Sequence, residues 1–184
     1  MPRIWADMRQ LSENILDIAM NSVRAGAGLI SVTLIETPPL LTISIQDNGC
    51  GMSEEQLKRV TDPFFTTRTT RKVGLGLPFF KMEAEQTGGS FRIESRINEG
   101  TTVTAVFDQS HIDALPLGDI PETVMTLVGS AADRDIVFTH QKEKSCIHLD
   151  TRELKKQLDG VPLDTPEVLI WIREYLTEQY DAAQ

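Results

Sequence analysis

Asp17 and Asn21 lie one helical turn apart in a stretch that is otherwise mainly apolar. A carboxylate at this spacing can orient or deprotonate a water, while an amide oxygen is a ligand of the kind that Mg²⁺ takes. Asn14 extends the polar stripe by one more turn. A solvated helix face would explain the same residues, but the apolar remainder of the circumference favours a buried helix whose stripe faces a cavity.

A glycine-rich segment, Asp47-Asn48-Gly49-Cys50-Gly51-Met52, follows a predicted strand. Glycines allow a flat ligand to approach the backbone closely, and the Asp47 carboxylate can accept a hydrogen bond from an exocyclic amine. An ordinary Asn-Gly turn accounts for the same residues equally well.

Residues 66–77 read Thr66-Thr67-Arg68-Thr69-Thr70-Arg71-Lys72-Val73-Gly74-Leu75-Gly76-Leu77. Hydroxyls, cations and glycines that lead into a helix start indicate an anion cradle, because free N–H groups and the helix dipole both favour phosphate. The segment is not a P-loop, since no Gly-Lys-Ser or Gly-Lys-Thr is present. A flexible basic surface loop is the alternative.

The periodicity of apolar residues predicts the helices and strands that position these side chains. The pattern predicts a helix over residues 8–25, another that begins at residues 74–76 and ends at residues 88–89, and a short helix capped by Ser53. Two pairs of strands alternate polar and apolar residues, the second pair turning at residues 98–100, which indicates a sheet with one buried face. The order predicts an α/β two-layer sandwich with a mixed, mostly antiparallel sheet and helices on one face.

The chain changes character near residue 109. A linker with prolines and glycine precedes a short helix, strands near residues 136–140 and 146–149, and a final helix that begins after Thr165. We therefore expect a domain at residues 1–108 and a small α/β C-terminal appendage at residues 109–184, through which a homodimer is possible.

Composition narrows the class of function. The 184 residues carry a formal net charge of −9, from 27 acidic and 18 basic residues, and this balance argues against nucleic-acid binding. No apolar stretch reaches the roughly 18 residues that span a bilayer, and the N-terminus lacks the layout of a signal peptide. Two cysteines, Cys50 and Cys146, form neither a disulfide framework nor a metal motif, so we expect a cytoplasmic protein.

The motifs occur in an order that resembles a known superfamily. Asp17-x-x-x-Asn21, Asp47-x-Gly49-x-Gly51, Pro63-Phe64-Phe65-Thr66-Thr67 and Gly74-Leu75-Gly76-Leu77 resemble the N, first-glycine, F and second-glycine boxes of the GHKL ATPases, and Gly100-Thr101-Thr102 resembles their final signature. That superfamily comprises gyrases, heat-shock chaperones, sensor histidine kinases and mismatch-repair ATPases. The resemblance covers about residues 8–108 and implies the Bergerat ATP-binding fold.

The resemblance also implies roles for individual residues. Asn21 would hold Mg²⁺ between the phosphates, Asp47 would bind the adenine amino group with Met52 packed on the ring, and Thr102 would add a hydroxyl nearby. Basic residues and glycine amides of residues 68–76 would surround the phosphates in a movable lid. The implied nucleotide-binding set is Asn14, Asn21, Asp47, Gly49, Gly51, Met52, Phe64, Thr67, Arg68, Arg71, Lys72, Gly74, Leu75, Gly76, Leu77 and Thr102, with Asp17 as the catalytic residue.

Two departures from the family pattern shape the functional expectation. Asp17 is one methylene shorter than the usual Glu, and no histidine precedes the domain as a phosphoacceptor. His111 has a proline five residues later, but Ile112 follows it where the phosphoacceptor motif needs an acid. We expect a histidine-kinase-like Mg²⁺–ATP-binding protein that acts in signalling through a partner protein, without its own phosphoacceptor domain. The alternatives are an anti-sigma-like kinase of a partner Ser or His, and a non-enzymatic ATP sensor or weak ATPase.

Overall fold

A computed structural model of the chain describes residues 10–62 and 76–183. The elements within these ranges are, in chain order, α1 (Leu11–Arg24), β1 (Leu29–Thr37), β2 (Leu40–Asp47), α2 (Glu54–Arg59), α3 (Gly76–Gln86), β3 (Ser90–Arg96), β4 (Gly100–Asp108), α4 (Ile120–Ser130), β5 (Asp135–Gln141), β6 (Cys146–Asp150), α5 (Thr151–Gln157) and α6 (Pro166–Ala182).

The strands form one six-stranded sheet in the order β3-β4-β2-β1-β5-β6. Only β1 and β5 run parallel to each other, and the other neighbouring strands of the sheet are antiparallel. The expectation of a mixed, mostly antiparallel sheet is therefore confirmed.

One face of the sheet carries the hydrophobic core. Ile30, Val32 and Leu34 of β1 are buried, whereas Ser31 and Thr33 between them stay partly exposed. The apolar residues of β2 and β4 lie directly opposite one another in register and face the same way. α1 and α3 pack on this face. Because the apolar residues alternate with polar ones, the sheet buries only one face, and the two-layer sandwich is confirmed.

The C-terminal segment continues the same sheet. β5 pairs in parallel with β1, with Val32 opposite Phe138, and β6 extends the sheet by one more strand. α4 packs against both α1 and α6. Residues on both sides of residue 108 therefore contribute to one sheet and one hydrophobic core. That residues 1–108 and 109–184 are separate domains stays a prediction.

The linker before α4 supplies the N-terminal cap of α1. The backbone N–H groups of Leu11 and Ser12 donate to the carbonyls of Pro116 and Leu117, at 3.0 and 2.8 Å. The first N–H groups of a helix have no partner within the helix, so this contact satisfies two of them. Gly118 has a φ of 88°, and a side chain there would overlap Ser12. The linker thus fixes the start of the helix that bears the polar stripe.

A buried polar network joins α6 to the sheet. His140 of β5 is fully buried; its Nδ1 lies 2.6 Å from the Tyr180 hydroxyl, and its Nε2 lies 2.8 Å from Glu36 Oε1. Burial raises the pKa of Tyr180, so the phenol stays protonated. In the tautomer with the proton on Nε2, that nitrogen faces the Glu36 carboxylate and Nδ1 accepts from the Tyr180 hydroxyl. Burial also lowers the pKa of His140, although Glu36 opposes the shift.

We expect the His140→Gln variant to lose part of the pH dependence of stability. Because the native pKa of His140 lies below the ordinary value of about 6.5, the unfolded chain binds the proton first. The free energy of unfolding of the wild type should therefore fall as the pH drops from about 8 to about 5.5, more steeply than that of the variant. Urea titrations across this range measure the difference. His148→Gln, at an exposed position on β6, is the control, and identical slopes for wild type and His140→Gln would contradict the assignment.

Candidate functional site

Asp47 stands at the end of β2, on the face covered by the helices, and is 9% exposed. Its Oδ2 accepts a hydrogen bond from the Ser22 hydroxyl of α1 at 2.6 Å, and its Oδ1 accepts one from the Gly49 N–H at 2.8 Å. Two donors from different elements therefore fix the orientation of the carboxylate. Ser22, which the sequence analysis did not single out, is the link between α1 and the glycine-rich segment.

The glycine-rich segment is also tied to the start of β1. Asn48 Oδ1 accepts hydrogen bonds from the N–H groups of Gly28 and Leu29, at 2.8 and 2.9 Å. The Cys50 N–H donates to the Ala25 carbonyl at 2.9 Å. The segment is therefore held against the end of α1 and the beginning of β1.

The glycines of this segment are required by backbone packing. Gly51 has a φ of 64°, and a Cβ there would overlap the carbonyl of Arg96. A Cβ on Gly49 would lie 2.9 Å from the Ala25 carbonyl oxygen. The space beside both α-carbons is filled by the protein itself. Their conformation and close approach explain the glycines without direct contact to a ligand.

The β2–β4 register decides which threonine accompanies Asp47. Asp47 lies opposite Thr101, whereas Thr102 lies opposite Gln46. Since side chains alternate across a strand, Thr101 shares the helix-covered face with Asp47, and Thr102 points to the other face. The sequence analysis assigned this hydroxyl to Thr102, and that assignment stays a prediction. The register adds Thr101 as a candidate on the same face as Asp47. Thr101 Oγ1 lies 2.8 Å from Ser95 Oγ.

Asp47, Met52 and Thr101 line an open cavity of about 790 Å³ at this end of the sheet. Leu57 and Ile93 add apolar side chains to its wall, and Thr102 also borders it. Its size lies within the range of about 300–1,000 Å³ that is typical of small-molecule sites. The remaining lining is mostly polar and includes Glu54, Glu94 and Glu99. A buried carboxylate beside a few apolar side chains can accept the exocyclic amine of a planar base.

The polar stripe of α1 is partly as expected. Asp17 and Asn21 are partly exposed, and Asn21 Oδ1 accepts a hydrogen bond from Arg24 Nη1 at 2.7 Å. Burial raises the pKa of Asp17, and the charge of Arg24 opposes this shift. No hydrogen bond to the Asp17 carboxylate is made by the residues that the structure describes. The sequence analysis did not identify Arg24, although its position three residues after Asn21 places it on the same face of α1.

Asp17 lies against the beginning of α3. Gly76 is the first residue of α3, and a side chain at its α-carbon would overlap Asp17 Oδ2. Leu77, the next residue, is 8% exposed and packs in the hydrophobic core, so its side chain does not face the cavity. The remaining lid and F-box positions of the sequence analysis lie outside the described residues: Phe64, Thr67, Arg68, Arg71, Lys72, Gly74 and Leu75.

Asn14 differs from the expectation that the whole stripe faces a cavity. Its side chain is fully buried, and neither Nδ2 nor Oδ1 has a hydrogen-bond partner among the described residues. Asn14 therefore lies beneath the surface and away from the cavity beside Asp47. The helix is more deeply buried at Asn14 than at Asp17 and Asn21.

The oxygen atoms of α1 suit Mg²⁺ in type. A protein site for this ion often consists of one or two side-chain oxygens completed by phosphates and water. The Asp17 carboxylate and the Asn21 amide oxygen provide such a pair one turn apart. Within residues 10–62 and 76–183, no cluster of three or more His, Cys, Asp or Glu side chains offers another metal site.

The sequence of this chain is similar to those of known proteins. The family model described as histidine kinase-, DNA gyrase B- and HSP90-like ATPase matches residues 6–111. Sensor histidine kinase ZraS of Escherichia coli K12 is 35% identical over 106 residues, which are 56% of this chain and 23% of ZraS. Sporulation kinase C of Bacillus subtilis is 30% identical over 105 residues, which are 56% of this chain and 24% of that kinase. The chain thus matches less than a quarter of either protein.

A solved structure agrees on the fold. The crystal structure of the N-terminal domain of a DNA repair protein superposes with a TM-score of 0.53 at 13% identity, covering 77% of this chain and 52% of the other. In the part of the chain that the structure describes, no helix is both long and apolar enough to cross a membrane.

Replacing Asn14 with Leu should raise the free energy of unfolding by about 1 kcal/mol or more, because a buried amide without partners costs about 1–3 kcal/mol. The matched control is Asn48→Leu, which removes an acceptor of two backbone hydrogen bonds and should destabilise the protein. Urea unfolding of both variants tests the contrast. Equal destabilisation by the two substitutions would show that the buried amide of Asn14 is satisfied.

Proposed function

This chain belongs to the family of histidine kinase-, DNA gyrase B- and HSP90-like ATPases, and we propose that it binds Mg²⁺–ATP beside Asp47 and acts in signalling through a partner protein. The observation that carries the proposal is the Asp47 carboxylate, held by Ser22 and Gly49 at the mouth of the cavity. The family match and the sensor histidine kinase relatives support a histidine-kinase-like ATP-binding domain.

The adenine end of the site is assigned to Asp47, Met52 and Thr101. Each Asp47 oxygen already accepts one hydrogen bond and retains a lone pair for the exocyclic amine of the base. Thr101 is preferred to Thr102 in this proposal because it shares a sheet face with Asp47. Met52 and Ile93 provide apolar contact for the ring.

The phosphate end is assigned to the stripe of α1 and the start of α3. Asn21 and Asp17 would supply oxygens to Mg²⁺, and Arg24 adds a cation beside them. Asn21 would exchange its hydrogen bond with Arg24 for the metal. Arg68, Arg71 and Lys72 remain the proposed lid cations on the resemblance alone.

The phosphoryl acceptor is proposed to lie on another protein. His140 is fully buried, with a partner at each ring nitrogen, so it offers no accessible nucleophile. His111 is followed by Ile112 rather than by an acid, and His148 contacts Thr139 through Nδ1 at 3.0 Å. The two cysteines are free and exposed, which agrees with a reducing cytoplasm as the proposed location.

Slow ATP hydrolysis is the second candidate function. Burial raises the pKa of Asp17, and a carboxyl with a raised pKa is better suited to take a proton from water. Asp17 is nevertheless shorter than the glutamate of the efficient ATPases that the chain resembles, so water would be held less closely.

Incubation with γ-labelled ATP separates these functions. We expect label on a co-purifying protein, and no acid-labile label on this chain, because His140 is buried and Ile112, not an acid, follows His111. Released phosphate without labelled protein would instead favour hydrolysis. Acid-labile label on this chain that disappears in the His111→Gln variant would contradict the assignment of the acceptor to a partner.

The Asp47→Asn variant should bind ATP about ten- to a hundredfold more weakly, because a charge-assisted hydrogen bond contributes about 1.5–3 kcal/mol. Glu94→Gln is the matched control, since Glu94 borders the same cavity and the substitution removes the same charge. Calorimetry measures both affinities, and thermal unfolding verifies that both variants are folded. An Asp47→Asn variant with wild-type affinity would remove Asp47 from the site.

A further inference from the structure

We propose that a second cavity, enclosed by the ends of β1 and β5, the start of α4 and the helix α6, binds a free α-amino acid. Glu36 would hold the ammonium group of this ligand, and Lys142 would hold its carboxylate. The cavity shares no lining residue with the one beside Asp47, so the proposed site is separate from the nucleotide site and goes beyond the proposed function.

The size and lining of the cavity suit a small molecule that is partly apolar. Its volume is about 440 Å³, within the range of about 300–1,000 Å³ that is typical of small-molecule sites. The wall that faces α4 is apolar and consists of Leu117, Ile120 and Pro121. The opposite lining is polar and includes His140, which is 0% exposed, and the Tyr180 hydroxyl group.

The Glu36 carboxylate is the negative charge of this cavity that lacks a cation. Its Oε1 lies 2.8 Å from His140 Nε2, but burial lowers the pKa of His140, so the ring is mainly neutral near pH 7 and does not neutralise the carboxylate. Oε2 has no hydrogen-bond or ion-pair partner within residues 10–62 and 76–183. A carboxylate has about four lone-pair sites, so Glu36 can still accept an ammonium group.

The Lys142 ammonium is the positive charge of this cavity that lacks an anion. Its Nζ lies over the Tyr180 ring, 5.4 Å from the centroid, and it forms no ion pair with a carboxylate of the described part of the chain. The cation–π contact leaves N–H groups of the ammonium available as donors. Arg173, the other cation of the lining, is already paired with Glu122 at 2.9 Å.

The two unpaired charges are neighbours that do not pair with each other. They directly follow Ile35 and Gln141, which lie opposite each other in the parallel register of β1 and β5. Glu36 nevertheless turns toward the imidazole of the cavity and Lys142 toward its phenol ring. A ligand with a single charge would satisfy one of them and leave the other without a partner. An α-amino acid carries both charges on one carbon atom, and its side chain can contact the apolar wall.

The first experiment measures ligand binding to the intact chain. Thermal unfolding is recorded with each standard L-amino acid in turn, and calorimetry follows with the one that stabilises most. We expect an amino acid with an apolar side chain to raise the unfolding temperature. Its deaminated and decarboxylated analogues, which for leucine are isocaproate and isoamylamine, should each bind at least about tenfold more weakly, because each lacks one charge-assisted hydrogen bond.

Charge-removing variants assign the two ends of the ligand. In Lys142→Met, the amino acid should bind no better than its decarboxylated analogue, and in Glu36→Gln no better than its deaminated analogue. A residue that acted only on stability would not change this discrimination between ligands. Glu143→Gln and Lys144→Met remove the same charges from exposed residues of the adjoining turn that do not line the cavity, and both should keep the wild-type affinity.

Each outcome supports or overturns the proposal. A wild type that no amino acid stabilises would overturn it, as would equal affinities for the amino acid and both analogues, since contact with the apolar wall would then explain the binding. A loss in Lys144→Met equal to that in Lys142→Met would also overturn it. Circular dichroism shows whether each variant is folded, and if Glu36→Gln is not, Lys142→Met and the analogues decide the test.

Discussion

The pairing register of β2 with β4 is the constraint on which the candidate site depends. It places Asp47 opposite Thr101 on the helix-covered face. A shift of one residue in this pairing would turn one of the two side chains to the other face, because the side-chain period of a strand is two. Gly100, with a φ of 109°, secures the pairing, since a Cβ there would overlap the Asp47 carbonyl. Strand pairing, rather than the conformation of a loop, therefore sets the position of the Asp47 carboxylate.

α1 depends on this sheet and completes the site. Its apolar residues pack on the covered face, so its polar residues reach the strand ends, where Ser22 meets Asp47. The linker at residues 116–117 holds the first turn of α1, and α4 packs along it. The C-terminal part of the chain therefore supports the helix that carries the proposed metal ligands.

Buried polar groups occur in two different settings. His140 hydrogen-bonds Tyr180 through Nδ1 and lies within ion-pair distance of Glu36 through Nε2, so it joins three elements. Asn14 is fully buried without hydrogen-bond partners among the described residues, which costs stability, and the half-buried Asp17 carboxylate receives no hydrogen bond from them either. Polar groups without hydrogen-bond partners are most frequent at functional sites. For Asp17 the proposed compensation is a metal ion. For Asn14 the structure offers none.

The sequence by itself determined the local features. Alternation identified the strands and the single buried face, Ser53 marked the start of α2, and the ordered boxes identified the family, which the family model confirms. These features follow from side-chain period and capping, which act over a few residues. Tertiary structure alone decided the parallel pairing of β5 with β1, the position of Thr101 opposite Asp47, and the bond from Ser22 to Asp47. Each of these joins segments distant in sequence. Periodicity says which face a residue occupies within its own element, but only packing decides which residue of another element stands across from it.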